Sequence, residues 1–164
     1  MSVAFRKWRP PAPISARDDG MFDIGMGENE RHTLTSLFDS LHGMLGAGED
    51  DPRTTRLFPA AYHDMPEHDA EFRRLMRPEL VESARASVDL ARGLLDADGP
   101  VPRERVLGFM RALNSVRLVL GTLLDVSEDD TGPDPEDPDD DLGILYGYVG
   151  WLLESVVDVL DAEG

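Results

Sequence analysis

Seven apolar residues, Val106, Phe109, Met110, Leu113, Val116, Leu120 and Leu124, recur at the spacing of one face of a helix, at about 100° per residue. A stripe this long must be covered by other elements, which commits the surrounding chain to a helical core. Arg117 falls inside it. An unpaired guanidinium in such a place costs several kcal/mol, about 3–5 when a buried partner is removed, so a carboxylate or other acceptors should meet it. Glu30 is the expected partner, with Asn114 and Tyr146 as hydrogen-bonding neighbours, and these four residues form a candidate buried polar network. It reads either as a structural pair or as a pocket for an anion, with the structural pair favoured.

Other stripes complete the bundle. A helix over 28–45 should bury Leu34, Leu37, Leu41, Met44 and Leu45, with Glu30 on the same face and Gly46 near its end. Leu57-Phe58-Pro59 reads as a short apolar turn. Asp64, Pro66 and Glu67 open the next helix, buried through Phe72, Leu75 and Met76. Pro78 should interrupt or restart it, after which Leu80, Val81, Ala84, Val88, Ala91 and Leu95 continue to about residue 97. Pro102 starts the Arg117 helix, which should end near Val126, and a last helix spans 142–160. At the N-terminus, Asp19-Gly20 between two short β-like runs predicts a hairpin, although Pro10, Pro11 and Pro13 restrict its pairing. The expected fold is mainly α: a single bundle of about four main helices, 28–164, preceded by a hairpin or extended arm over 1–27.

The last helix offers two apolar sides. Leu142, Leu145, Tyr146, Val149, Leu152, Leu153, Val156 and Leu160 can fill the core, while Gly143, Gly147, Gly150 and Trp151 lie on or near the other side beside Glu154. Glycine inside a helix costs up to about 1 kcal/mol, so close approach of a second backbone would explain it. Gly147, Trp151 and Glu154 therefore mark a candidate self-association or partner face, the alternative being that Trp151 covers the core beneath the N-terminal segment.

Charge narrows the functional classes. The 164-residue chain has a formal net charge of −17, which repels phosphate backbones and anionic membranes on average. Much of the excess lies in 127–141 (SEDDTGPDPEDPDDD), with nine acids and three prolines, read as a flexible solvated loop that lacks the ligand spacing of an EF-hand. Arg6, Lys7, Trp8 and Arg9 form a basic cluster with an aromatic, the candidate nucleic-acid contact, and Arg73, Arg74 and Arg77 form a second basic group. An exposed edge kept soluble by charge is the plainer reading of the first cluster. There is no cysteine, which excludes disulfides, thiolate metal sites and thiol redox chemistry within this chain. His63 and His68 are five residues apart, outside the HExxH pattern, and no Walker, GxGxxG or GxSxG motif occurs. No catalytic residue, metal site or cofactor is expected. No apolar run approaches the roughly 20 residues of a membrane span, so no membrane partner and a cytoplasmic location are expected.

Three segments carry a family resemblance: LFPAAYHD at 57–64 followed by AEFRRL at 70–75, LNSVRLVLGT at 113–122, and YVGWLLE at 148–154. Together they resemble an actinobacterial family of unknown function that includes the oxidative-stress transcriptional regulator AosR. The resemblance runs from the first helix onward and matches at Asn114, Arg117, Gly121, Trp151 and Glu154. It implies a non-enzymatic helical regulator that engages DNA, directly or through RNA polymerase or a sigma factor, or that works through a protein partner or as a homodimer. The cysteine pair to which the family's oxidation sensing is attributed has no counterpart here, so thiol-based sensing does not carry over. The alternative is an acidic adaptor acting through the Trp151 face without touching DNA.

Overall fold

The fold was analysed in a computed structural model, which describes residues 12–46, 52–58, 65–127 and 141–163. Two short strands, β1 (Ile14–Ala16) and β2 (Phe22–Ile24), precede four helices: α1 (Glu28–Gly46), α2 (Pro66–Leu95), α3 (Arg103–Ser127) and α4 (Asp141–Glu163). A 3-10 turn, Pro52–Leu57, lies between α1 and α2. The protein is mainly α, as the periodicity predicts.

The strands pair antiparallel, Ile14 opposite Ile24 and Ala16 opposite Phe22. Their turn forms where Asp19-Gly20 predicts it. Gly20 takes φ +84°, open to glycine at little cost, and the Asp19 carboxylate accepts the Met21 amide at 3.0 Å. That amide, ahead of the nearby Arg17, holds the Asp19 carboxyl below its ordinary range. The hairpin is no loose decoration. Ile14, Phe22 and Met26 belong to the same buried core as the helices, and Phe22 exchanges two 2.9 Å backbone hydrogen bonds with Val101, in the α2–α3 link.

Helix α3 is the centre of the bundle, packing against α2, α4, the 3-10 turn and α1. Its buried side consists of Val106, Phe109, Ala112, Leu113, Val116, Val119, Leu120 and Leu124. Phe109 meets Phe38 of α1 edge-on, with ring centroids 5.9 Å apart and planes at 82°. On the α2 side, Leu90 lies so close to Gly108 that a Cβ there would overlap it.

Arg31 ties the N-terminal region to α2. Its guanidinium donates to the Met26 carbonyl at 3.0 Å, to Leu95 at 2.9 Å and to Ala97 at 3.0 Å. These acceptors include carbonyls at the C-terminus of α2, where a cation also meets the negative end of the helix dipole.

Several expectations need correction: Leu75 and Leu80 of α2 and Leu142 and Tyr146 of α4, expected on buried faces, are exposed. Pro78 lies inside a continuous α2 and does not break it; it sits on the exposed side, where water can satisfy the carbonyl left without an amide partner. Two helical stretches, Arg103–Asp125 and Asp141–Ala162, are long and apolar enough to cross a membrane by length and composition. Scattered glycines and polar residues divide the sequence into short apolar runs without lowering the average enough to exclude them. Half of the α3 stretch is buried inside the protein, which accounts for its apolarity as core, against 17% of the α4 stretch. The expected helix start at Asp64 and most of the acidic loop over 127–141 lie outside the described residues.

The Gly108 contact yields a direct test by urea denaturation. Gly108→Ala should lower stability by about 1–3 kcal/mol, because α2 must move or Leu90 must repack. Gly147→Ala, where nothing lies within 4 Å of the added methyl, should leave stability unchanged or raise it by up to about 1 kcal/mol.

Candidate protein-docking face on α4

Leu152, Val149, Val156 and Leu160 turn one side of α4 into the core. With 3.6 residues per turn, that arrangement sends Ile144, Gly147, Tyr148, Trp151 and Glu154 toward the other side. Ile144 is 50% exposed and Trp151 46%; Gly147 and Glu154 are also exposed. Trp151 packs beside Tyr148, with ring centroids 6.1 Å apart and planes inclined by 32°. The Tyr148 hydroxyl donates to the Glu30 carboxylate at 3.1 Å.

This contact joins α4 to the first turn of α1 and forms one side of an open cleft of about 500 Å³ lined by Asn29, Glu30, Thr33, Asp141, Ile144, Leu145 and Tyr148. The floor is apolar and aromatic, with Glu30 and Asp141 on its margin. Burial, followed by the neighbouring Glu30 charge and hydrogen bond, pushes the Tyr148 phenol well above its ordinary range. Gly147 and Gly150 have open space where a side chain would stand, so packing among the described residues gives no reason for either glycine.

The expected Arg117 network is only partly assembled. Arg117 is half-buried, while Asn114, Glu30 and Tyr146 are exposed. Its guanidinium donates to Asn114 Oδ1 at 3.2 Å, but its buried Nε has no partner among the described residues and Glu30 bonds Tyr148 instead. Arg117 stands at the margin of the buried sector of α3, roughly 80° from its centre at 100° per residue. Glu30 continues the α1 stripe by spacing, yet occupies the first turn, beyond the packed length. Tyr146 lies near Gly121, its ring edge 3.6 Å from where a Cβ would stand; Arg56 Nη1 lies 2.7 Å from the same point. Arg56 pairs with Asp125.

Arg6, Lys7, Trp8 and Arg9 lie outside the described residues. Of the second basic group, Arg74 is exposed and Arg77 stacks 4.6 Å above the Phe58 ring. Among the described residues, no group of three or more His, Asp or Glu side chains is arranged to hold a metal ion. The sequence reading missed Tyr148 as part of the face and Arg31 as a clamp. Tyr148 was legible in principle, since it follows Ile144 by four residues and precedes Trp151 by three.

The profile of a family described as a domain of unknown function, DUF2017, matches residues 6–160, and the chain belongs to that family. No curated protein and no solved structure matches significantly.

Two measurements probe these side chains. Replacing Arg117 by Met should leave unfolding stability within about 1 kcal/mol of wild type, because loss of the Asn114 bond is offset by removal of an orphaned Nε–H. A loss above about 3 kcal/mol would require a buried ionic partner. In an alkaline titration followed by tyrosine ultraviolet absorbance, the Tyr148 ionisation should fall well above the ordinary tyrosine range and be absent from Tyr148→Phe. Its folded pKa is raised, so its contribution to stability is complete below the ordinary tyrosine value near 10 and is lost as pH climbs toward the folded value. Glu30→Gln should bring that ionisation to lower pH.

Proposed function

We propose that this chain is a non-enzymatic transcriptional regulator of the AosR type, acting in the cytoplasm by protein contact, with the outward face of α4 docking on RNA polymerase or a sigma factor. The observation that carries the protein-contact reading is the cluster of exposed Ile144 and Trp151 with half-buried Tyr148 between them, beside an apolar cleft. Exposed apolar surface of this kind marks an interaction site, and tryptophan is favoured at the energetic centre of such sites. The regulatory assignment comes from the resemblance over 57–154. Without cysteine, a thiol switch within this chain is ruled out, which favours control through contact with a partner. Direct DNA contact through Arg6, Lys7, Trp8 and Arg9 is the second reading, favoured by their basic and aromatic character and opposed by a net charge of −17.

The test is binding of the purified chain to RNA polymerase from its source organism, with and without sigma factors, in parallel with capture of fragmented genomic DNA. Polymerase or sigma binding, weakened about 10- to 30-fold by Trp151→Ala, is the expected result, with no promoter enriched by the chain alone. Promoter enrichment by the chain alone, lost at higher salt, would replace this reading with direct DNA recognition. Absence of binding to polymerase and to every sigma factor would overturn it.

A further inference from the structure

Among the described residues, no ion pair joins a cation to the acids of the α4 face. Glu28, Glu30, Asp141, Glu154 and Asp158 are exposed, and α4 contains no basic residue. Arg31, the cation of the adjoining α1 turn, is committed to the carbonyls of Met26, Leu95 and Ala97. An occupant of this face therefore needs positive charge at its edges and aromatic or aliphatic groups for Ile144, Tyr148 and Trp151.

One segment of the chain has that composition: Phe5-Arg6-Lys7-Trp8-Arg9, which contains the only lysine and the other tryptophan. Its point of departure is also suitable. The Pro13 carbonyl accepts the Gly25 amide at 2.9 Å, which brings the start of the described chain beside the approach to α1. From Gly25 the backbone runs five residues to Glu30, roughly 12–15 Å, and Glu30 touches Tyr148 at 3.1 Å. Trp8 precedes Pro13 by five residues, a length of chain that spans at most about 18 Å. The reach and the separation are comparable.

We propose that residues 5–9 dock in cis on the α4 face, placing Trp8 or Phe5 against Ile144, Tyr148 and Trp151 and the basic side chains against Glu30, Glu154 and neighbouring acids. The acidic stretch 127–141 offers more negative charge but no apolar side chain, so it cannot receive the aromatics. A docked arm covers the face assigned above to a partner and withdraws the same basic cluster from any phosphate. It needs no partner to form, so failure of polymerase binding and failure of arm docking are separate results.

Because Lys7 is the only lysine, zero-length carbodiimide cross-linking of the full chain, followed by peptide mass mapping, reports where it lies. Docking predicts Lys7 adducts with Glu30, Glu154 or their acidic neighbours on the face, within the monomer fraction. Trp151→Ala should reduce their yield by about 2- to 10-fold while circular dichroism shows unchanged helicity. Lys7 adducts confined to 128–140, adducts found only between two chains, no Lys7 adduct at all, or a yield indifferent to Trp151→Ala in a folded variant would each overturn the proposal.

Discussion

The absence of a side chain at Gly108 sets how near α2 can come to α3, since Leu90 occupies the space a Cβ would need. The rest of the bundle is arranged around that approach. With α2 in place, Arg31 can reach the carbonyls of Leu95 and Ala97 while holding Met26, so the end of the hairpin region and the end of α2 share one cation. The α2–α3 link then lies where Val101 can pair with Phe22. A backbone contact, an arginine clamp and a two-residue bridge thus unite segments far apart in sequence around α3.

Helix α4 completes this core with only part of its surface. Val149, Leu152, Val156 and Leu160 are buried, leaving aromatic and aliphatic side chains on the outer side. Covering both sides would have required another element of the chain, and none of the described elements does so. The apolar outer side is consequently a property of the folded surface, and its acidic margin selects against anionic surfaces and in favour of basic ones.

Much of this architecture is legible from spacing. The hairpin turn at Asp19-Gly20 and the limits of α1, α3 and α4 follow from glycine, proline and apolar periodicity, because these signals act locally. What escapes such reading depends on distant neighbours. Arg31 looks like an ordinary polar residue in the first turn of a helix until the C-terminus of α2 is brought to it, and Val101 gives no sign of a strand partner. Arg117 shows the converse: periodicity places it in the stripe, but only the packing of α2, α4 and the 3-10 turn decides where the buried sector ends. The α4 face is half legible, since Trp151, Gly147 and Glu154 stand apart from the core spacing, while Tyr148 emerges through its bond to Glu30.

The limited burial of α4 also bears on how the chain reaches its native state. During translation this helix emerges after the other three, so α3 must wait with part of its apolar side uncovered, and α4 itself arrives as a segment whose average composition suits a bilayer. Chaperones and insertion machinery sort nascent chains by such segments. Nine acids within 127–141 are translated immediately ahead of it, and charges flanking an apolar segment act as gatekeepers against aggregation. Glu154, well inside the helix, would cost about 3 kcal/mol near the centre of a membrane. The same negative charge that shapes recognition on the finished surface thus also raises the cost of placing α4 in a bilayer.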